Sequence, residues 1–227
     1  MLLEVIVQTL EDARAARRGG ADRLEVVREI ERDGLTPDLD LVRAIALETG
    51  LPLRVMVRES EGFTVKSREE LGTLQRAFEA CARLGVDGAV AGYARDGELD
   101  LETTIAIRST APELRVTFHR AFDAAADPAR AITRLQELAQ VDRILTTGGT
   151  GSWTSRCRTL TEYGRLAGDR PIVLAGGGVD EEGLRMLAAA RCVREAHVGK
   201  AAGEPQITGA PVSAASVRRL KSLIRST

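Results

Sequence analysis

The run Val116-Thr117-Phe118-His119-Arg120-Ala121-Phe122-Asp123 carries an apolar stretch straight into groups able to do chemistry, and His119 is one of only two histidines in 227 residues. Imidazole suits proton transfer near neutral pH and also ligation of copper or zinc. Asp123 is spaced to accept the ring proton of His119 and orient it, or to cap the following segment. His119 and Arg120 are chain neighbours at a strand end, so their side chains diverge, and His119 is read as the inward one. A histidine merely bonded to a backbone carbonyl is the structural alternative.

Two carboxylates interrupt apolar runs: Glu4 in Leu3-Glu4-Val5-Ile6-Val7 and Glu25 in Arg23-Leu24-Glu25-Val26-Val27. A buried carboxylate must be paired or protonated. One reading makes them neighbours inside the fold, available for acid/base work or metal ligation beside His119 and His197, one pKa pushed up by the other charge. The other makes them part of an ion network neutralised by arginines such as Arg58 and Arg120. His197, within Glu195-Ala196-His197-Val198, reads by itself as a packed core histidine.

Glycines form a further constellation, Gly148-Gly149-Thr150-Gly151, Gly176-Gly177-Gly178 and Gly199-Lys200. Backbone amides bared in such loops bind anions, so Gly177, Gly178, Gly199 and Lys200 are candidate ligands for a phosphorylated small molecule. Tight turns alone would need the same glycines. Neither a P-loop nor a dinucleotide fingerprint accompanies them. Arginine outnumbers lysine 29 to 3, and Lys200 lies past its strand, where lowering an amine pKa for Schiff-base work is difficult.

The elements that must position these groups follow from periodicity. Strands are expected at Leu3–Val7, Arg23–Val27, Leu53–Val57, Asp87–Ala91, Arg115–Phe118, Arg143–Thr146, Ile172–Ala175 and Glu195–Val198. Helices alternate with them: one capped by Thr9 and stopped by Gly19-Gly20, one opened by Thr36-Pro37-Asp38, one with capping-box spacing at Ser67–Glu70, others at 101–109, after Asp127-Pro128, after the Gly-rich loop that follows Thr146 and after Asp180, and finally 213–224. Leu71, Leu74, Phe78 and Cys81 fall on one buried stripe. Eight strand-then-helix units in one domain, 1–227, predict an α/β fold, a (β/α)8 TIM barrel, with a doubly wound open sheet as the alternative. In such a barrel His119 sits at the working, C-terminal end of its strand.

With 44% hydrophobic and 29% charged residues and a net charge of -1, no global attraction to nucleic acid or an anionic membrane is expected. The apolar runs are too short to span a bilayer, and Glu4 interrupts the N-terminus, so a cytoplasmic location is expected. Cys81, Cys157 and Cys192 are dispersed and read as reduced thiols. Trp153, alone at a loop or helix start, is a candidate lid or homo-oligomer contact.

The segments Gly20-Ala21-Asp22-Arg23-Leu24-Glu25, Gly34-Leu35-Thr36-Pro37, Val116 to Asp123, Arg143-Ile144-Leu145-Thr146 and Ala175-Gly176-Gly177-Gly178 together resemble the copper homeostasis protein CutC family, to about residue 200. The resemblance implies a (β/α)8 barrel in the cytosol linked to copper tolerance or trafficking, with copper as the bound metal. Cysteines that relatives often carry after the first two strands' acids are replaced by Ile6, Val7 and Val27, and soft thiolates are what select Cu(I). At 58–63 the sequence Arg58-Glu59-Ser60-Glu61-Gly62-Phe63 departs from the family's Arg-Pro-Arg-Gly-Gly-Asp-Phe pattern, so that only Arg58, Gly62 and Phe63 carry over.

Two functions stay open at this point. One is a copper-handling barrel holding a metal ion at its mouth by carboxylate and imidazole. The other is a barrel enzyme acting on a small anionic or phosphorylated metabolite, with His119 as general acid/base, Glu4 and Glu25 organising it, and the glycine loops binding the anion.

Overall fold

The computed structural model describes residues 1–225. Eight parallel strands close on themselves: β1 (Leu2–Val7), β2 (Arg23–Val26), β3 (Leu53–Met56), β4 (Gly88–Ala91), β5 (Val116–Phe118), β6 (Val141–Thr146), β7 (Ile172–Ala175) and β8 (Glu195–Val198). Each strand pairs with the next in sequence, and β8 returns to β1 with Glu4 opposite His197. Helices α1 (Leu10–Gly19), α2 (Leu39–Thr49), α3 (Arg68–Arg83), α4 (Leu101–Arg108), α5 (Pro128–Gln136), α6 (Trp153–Ala167), α7 (Glu181–Ala190) and α8 (Ala214–Arg225) surround the barrel. The fold is a (β/α)8 barrel. No helix among the described residues is long and apolar enough to cross a membrane.

Strand alternation sorts the side chains. Leu3, Val5, Val7, Leu24, Val26, Val55, Phe118, Val198 and their like pack outward against Val42, Ile45, Phe78, Leu160, Leu187 and Leu220 of the helices, in one continuous core that includes Cys81. The opposite parity points into the barrel and is unusually ionic. Arg54 grips Asp142 with both terminal nitrogens, at 2.9 and 2.6 Å, and donates to Asp87 at 2.9 Å. Arg143 holds Glu195 in a bidentate pair at 2.8 and 3.1 Å. Arg23 joins Glu195, at 2.5 Å, to Glu4. Gly88 makes room for this floor, since a Cβ there would lie 2.4 Å from Arg54 Nη1. Above it a small apolar cluster of Val27, Met56 and Val90, with Ile6 and Ile30, lines the barrel.

Local signals mostly act where the sequence puts them. Thr9 and Asp12 form a reciprocal capping box and Gly20 ends α1 in the left-handed region. At α2 the cap is Asp38, not Thr36: the Thr36 hydroxyl bridges Arg58 N and Arg58 O across to the third loop. Ser67 caps α3, whereas Glu70 bonds the Lys66 amide rather than closing the box on Ser67. A short hairpin pairing Ala94–Arg95 with Glu98–Leu99, and three 3-10 turns at Ile30–Arg32, Arg120–Ala124 and Lys200–Ala202, were not expected.

Candidate active site at the barrel mouth

The C-terminal ends of the strands surround a cavity of about 320 Å³, a volume that suits a small molecule. Glu25, His197, His119, Arg58, Phe63, Arg120, Gly177, Gly178 and Lys200 are among the residues that line it. Residues 207–210 and Val212, in the loop between β8 and α8, close part of the rim.

At the bottom, His197 lies between the two carboxylates. Its Nδ1 is 2.8 Å from Glu4 Oε1 and 3.2 Å from Glu25 Oε2. The contact with Glu4 is the hydrogen bond, and Glu25 Oε2, fully enclosed, has no hydrogen-bond partner among the described residues. The two acids therefore differ in acidity. Burial is the strongest single influence on Glu4 and pushes its pKa up, but Arg23 and His197 together outweigh it and hold Glu4 well below the ordinary carboxylate range. Burial also dominates at Glu25, and with the Glu4 charge it overcomes the attraction of His197 and Arg23, raising the pKa to about 7. His197 is drawn down by burial, yet Glu25 and Glu4 outweigh it and raise it above its ordinary value.

His119 is different. Its ring follows β5, and its Nδ1 accepts the Ala121 amide at 3.1 Å, capping the 3-10 turn. That bond assigns the ring proton to Nε2. Burial, followed by the positive charges of Arg58 and Arg120, lowers its pKa to about 3, so the ring stays neutral. Phe63 packs beside it with ring centroids 5.5 Å apart, and Gly92 clears space, since a Cβ there would sit 3.1 Å from His119 Nδ1. His119 faces the cavity, but so does its neighbour Arg120, which was expected to point away.

Four expectations need correction. Asp123 does not orient His119: its carboxylate accepts from the Thr146 hydroxyl at 2.5 Å and the Thr147 amide at 3.1 Å, tying the 3-10 turn to the end of β6. Arg58 and Arg120 do not neutralise Glu4 and Glu25. Arg58 donates to the carbonyls of Ser60, Asp33 and Arg32 at 3.0, 3.2 and 3.3 Å, while the carboxylate paired with Arg120 is Asp33, 4.0 Å away. The arginine that neutralises Glu4 is Arg23, two positions before Glu25 and therefore on the same strand face, a signal present in the sequence, while no arginine among the described residues pairs with Glu25. His197, read alone as core packing, belongs to the acid cluster because β8 closes onto β1. Trp153 is no lid: Arg156 stacks 3.7 Å from its ring centroid, and it packs where a Cβ on Gly183 would collide with it.

Glu4, Glu25 and His197 are also the group of potential metal donors among the described residues, with ligand atoms within 4.8 Å of one another. Their chemistry does not fit Cu(I). All three are oxygen or nitrogen donors, Glu4 is already bonded to Arg23 and His197, and a cation would have to enter beside the Arg23 guanidinium. No cysteine lines the cavity. Cys81, Cys157 and Cys192 are buried elsewhere, and burial pushes the Cys81 and Cys192 thiols up to about 12.

Comparison with known proteins agrees with the resemblance seen in the sequence. A model described as CutC family matches residues 1–202. A CutC family protein from Xanthomonas campestris pv. campestris is 34% identical over 236 residues, covering 99% of this chain and 98% of the relative. One from Agrobacterium fabrum is 33% identical over 238 residues, covering 99% and 94%. Among solved structures, a Streptococcus agalactiae protein named as a candidate copper homeostasis protein CutC superposes with a TM-score of 0.80 at 24% identity, covering 88% of this chain and 98% of that one. Thiamine phosphate pyrophosphorylase from Pyrococcus furiosus shares the fold, with a TM-score of 0.63 at 15% identity over 99% of this chain and 96% of that one.

Proposed function

This chain belongs to the CutC family, and we propose that it works as a barrel enzyme moving a proton on a small anionic metabolite. One observation carries the reading: Glu25 faces the cavity as a buried carboxyl with an unpartnered oxygen and a pKa of about 7. A proton acceptor is most effective when its pKa lies near the working pH. Glu4 supplies the fixed negative charge that, after burial, raises Glu25, and Arg23 keeps Glu4 ionised. His197 is the positioning residue between them.

The assignment of His119 as general acid/base is replaced by a different role. A ring with a pKa of about 3 does not exchange protons at neutral pH, but its Nε2–H can donate to a substrate oxygen as charge develops there, the use of neutral imidazole as an electrophile. Arg58 and Arg120 add positive potential in the same cavity. The chemistry this suits is abstraction of an acidic proton by Glu25, with His119 stabilising the oxygen that takes up the charge.

The test is solvent exchange. A panel of small carboxylate and phosphate metabolites is incubated with the protein in D2O and followed by proton NMR. At least one compound is expected to lose a C–H signal with the wild type and not with Glu25→Gln. Absence of exchange across the panel contradicts the reading. So does a tight one-to-one Cu(I) complex lost in His119→Ala or Glu25→Gln, which would favour copper handling.

A further inference from the structure

Arg156, on α6, has no place in the proton transfer, yet its guanidinium is largely buried and reaches across to the loop after β7. Its Nε donates to Thr147 O at 2.6 Å, and its Nη2 to Gly176 O at 3.0 Å and Gly177 O at 3.1 Å. In a trans peptide the carbonyl of one residue and the amide of the next point in opposite directions. Carbonyls 176 and 177 turned toward Arg156 therefore turn the amides of Gly177 and Gly178 to the other side of the loop, where both residues line the cavity. Among the described residues neither amide meets an acceptor. Both glycines have positive φ, 72° and 78°, so this run of backbone is closed to most side chains.

Two cations face the same cavity. Lys200 is exposed and lines the cavity, and its ammonium has no ion-pair partner among the described residues. Arg120 packs beside Gly177, whose Cβ would lie 3.7 Å from Arg120 Cδ, and its buried Nε has no partner. Besides Glu25, two acids line the cavity: Asp12 accepts the amides of Gln8, Thr9 and Val212, and Asp33 lies 4.0 Å from the far end of Arg120.

We propose that the Gly177 and Gly178 amides, Lys200 and Arg120 form a subsite for a phosphate-type oxyanion, which makes the substrate a phosphorylated small metabolite with its acidic proton toward Glu25. Donors from two amides, an ammonium and a guanidinium converge from more directions than the two oxygens of a carboxylate can meet, whereas the three peripheral oxygens of a phosphate monoester can meet them all. This rests on the reading of the cavity as an enzyme site and narrows its substrate.

The test is a titration of 15N-labelled protein with inorganic phosphate, and separately with glycerol phosphate, followed by amide shifts. Saturable shifts at Gly177 and Gly178 are expected, with binding weakened at least about tenfold by Lys200→Gln or by Arg120→Gln, as loss of a charge-assisted contact implies. Glycerol phosphate is expected to bind more tightly than phosphate, because its carbon end reaches the apolar lining; the reverse order would assign the site to the free ion. No shift at these amides, or affinity unchanged in both variants, overturns the subsite. The two proposals fail separately. Phosphate binding here without exchange of any metabolite leaves the subsite and removes the proton transfer. Exchange of an unphosphorylated compound that phosphate does not inhibit does the opposite.

Discussion

Replacing Glu25 by glutamine should stabilise the folded protein at alkaline pH while abolishing its chemistry. Glu25 is buried, and its pKa rises from the ordinary 4.5 to about 7 on folding. The folded state therefore holds a proton that the unfolded chain has already released, and stability falls as pH climbs between those values. At about 1.36 kcal/mol per pH unit, the full cost is about 3 kcal/mol, reached above pH 7; at pH 5 it is under about 1 kcal/mol. Glutamine has nearly the same shape and carries no charge at any pH. His197 works in the same direction, since its raised pKa contributes stability present below 6.5 and lost as pH rises through its folded value. Urea unfolding of wild type and Glu25→Gln at pH 5 and pH 8 measures the difference. The variant is expected to be more stable at pH 8 by about 3 kcal/mol and nearly level at pH 5. An equal difference at both pH values, or a variant less stable at pH 8, would refute the assignment of Glu25 as a strained, cavity-facing acid.

Other outcomes follow from the same geometry. Arg23→Met leaves Glu4 and Glu195 buried without their shared guanidinium and should cost about 3–5 kcal/mol in urea unfolding. Gly176→Ala would place a Cβ 2.4 Å from Leu145 Cδ1 and 3.2 Å from His197 Cδ2, so a loss of about 1–3 kcal/mol is expected in thermal unfolding, with a disturbed His197 resonance. Imidazole 15N NMR should show His119 as the neutral Nε2–H tautomer throughout pH 5 to 8, because its pKa is about 3; a titration near 6.5 would contradict it.

The barrel was legible because its signals are local. Each of the eight strand runs is apolar at alternate positions and each is followed by a capped helix, so Ile172–Ala175 and Glu195–Val198 fall where the pattern puts them. Glu4, Glu25 and His119 were legible as functional candidates because each is out of place in its run. What was not legible depends on closure. His197 meets Glu4 only because β8 pairs with β1 across 193 residues of chain, and no periodicity encodes that register. Arg23 was visible by parity with Glu25, but choosing it over Arg58 and Arg120 needs the height of each arginine in the barrel. Asp123 had the right spacing from His119, yet the 3-10 turn at Arg120–Ala124 rotates it toward Thr146. Arg156 gave no sequence signal, since its partners are all backbone carbonyls.

Glu25, a buried carboxyl at the barrel mouth, is expected to titrate where an acid/base group must. Carboxyl 13C NMR of glutamate-labelled protein, with the Glu25 resonance identified by its loss in Glu25→Gln, reads this directly. A midpoint near pH 7 is the predicted result. A Glu25 signal that titrates near 4.5, with the ordinary glutamates, would contradict the account.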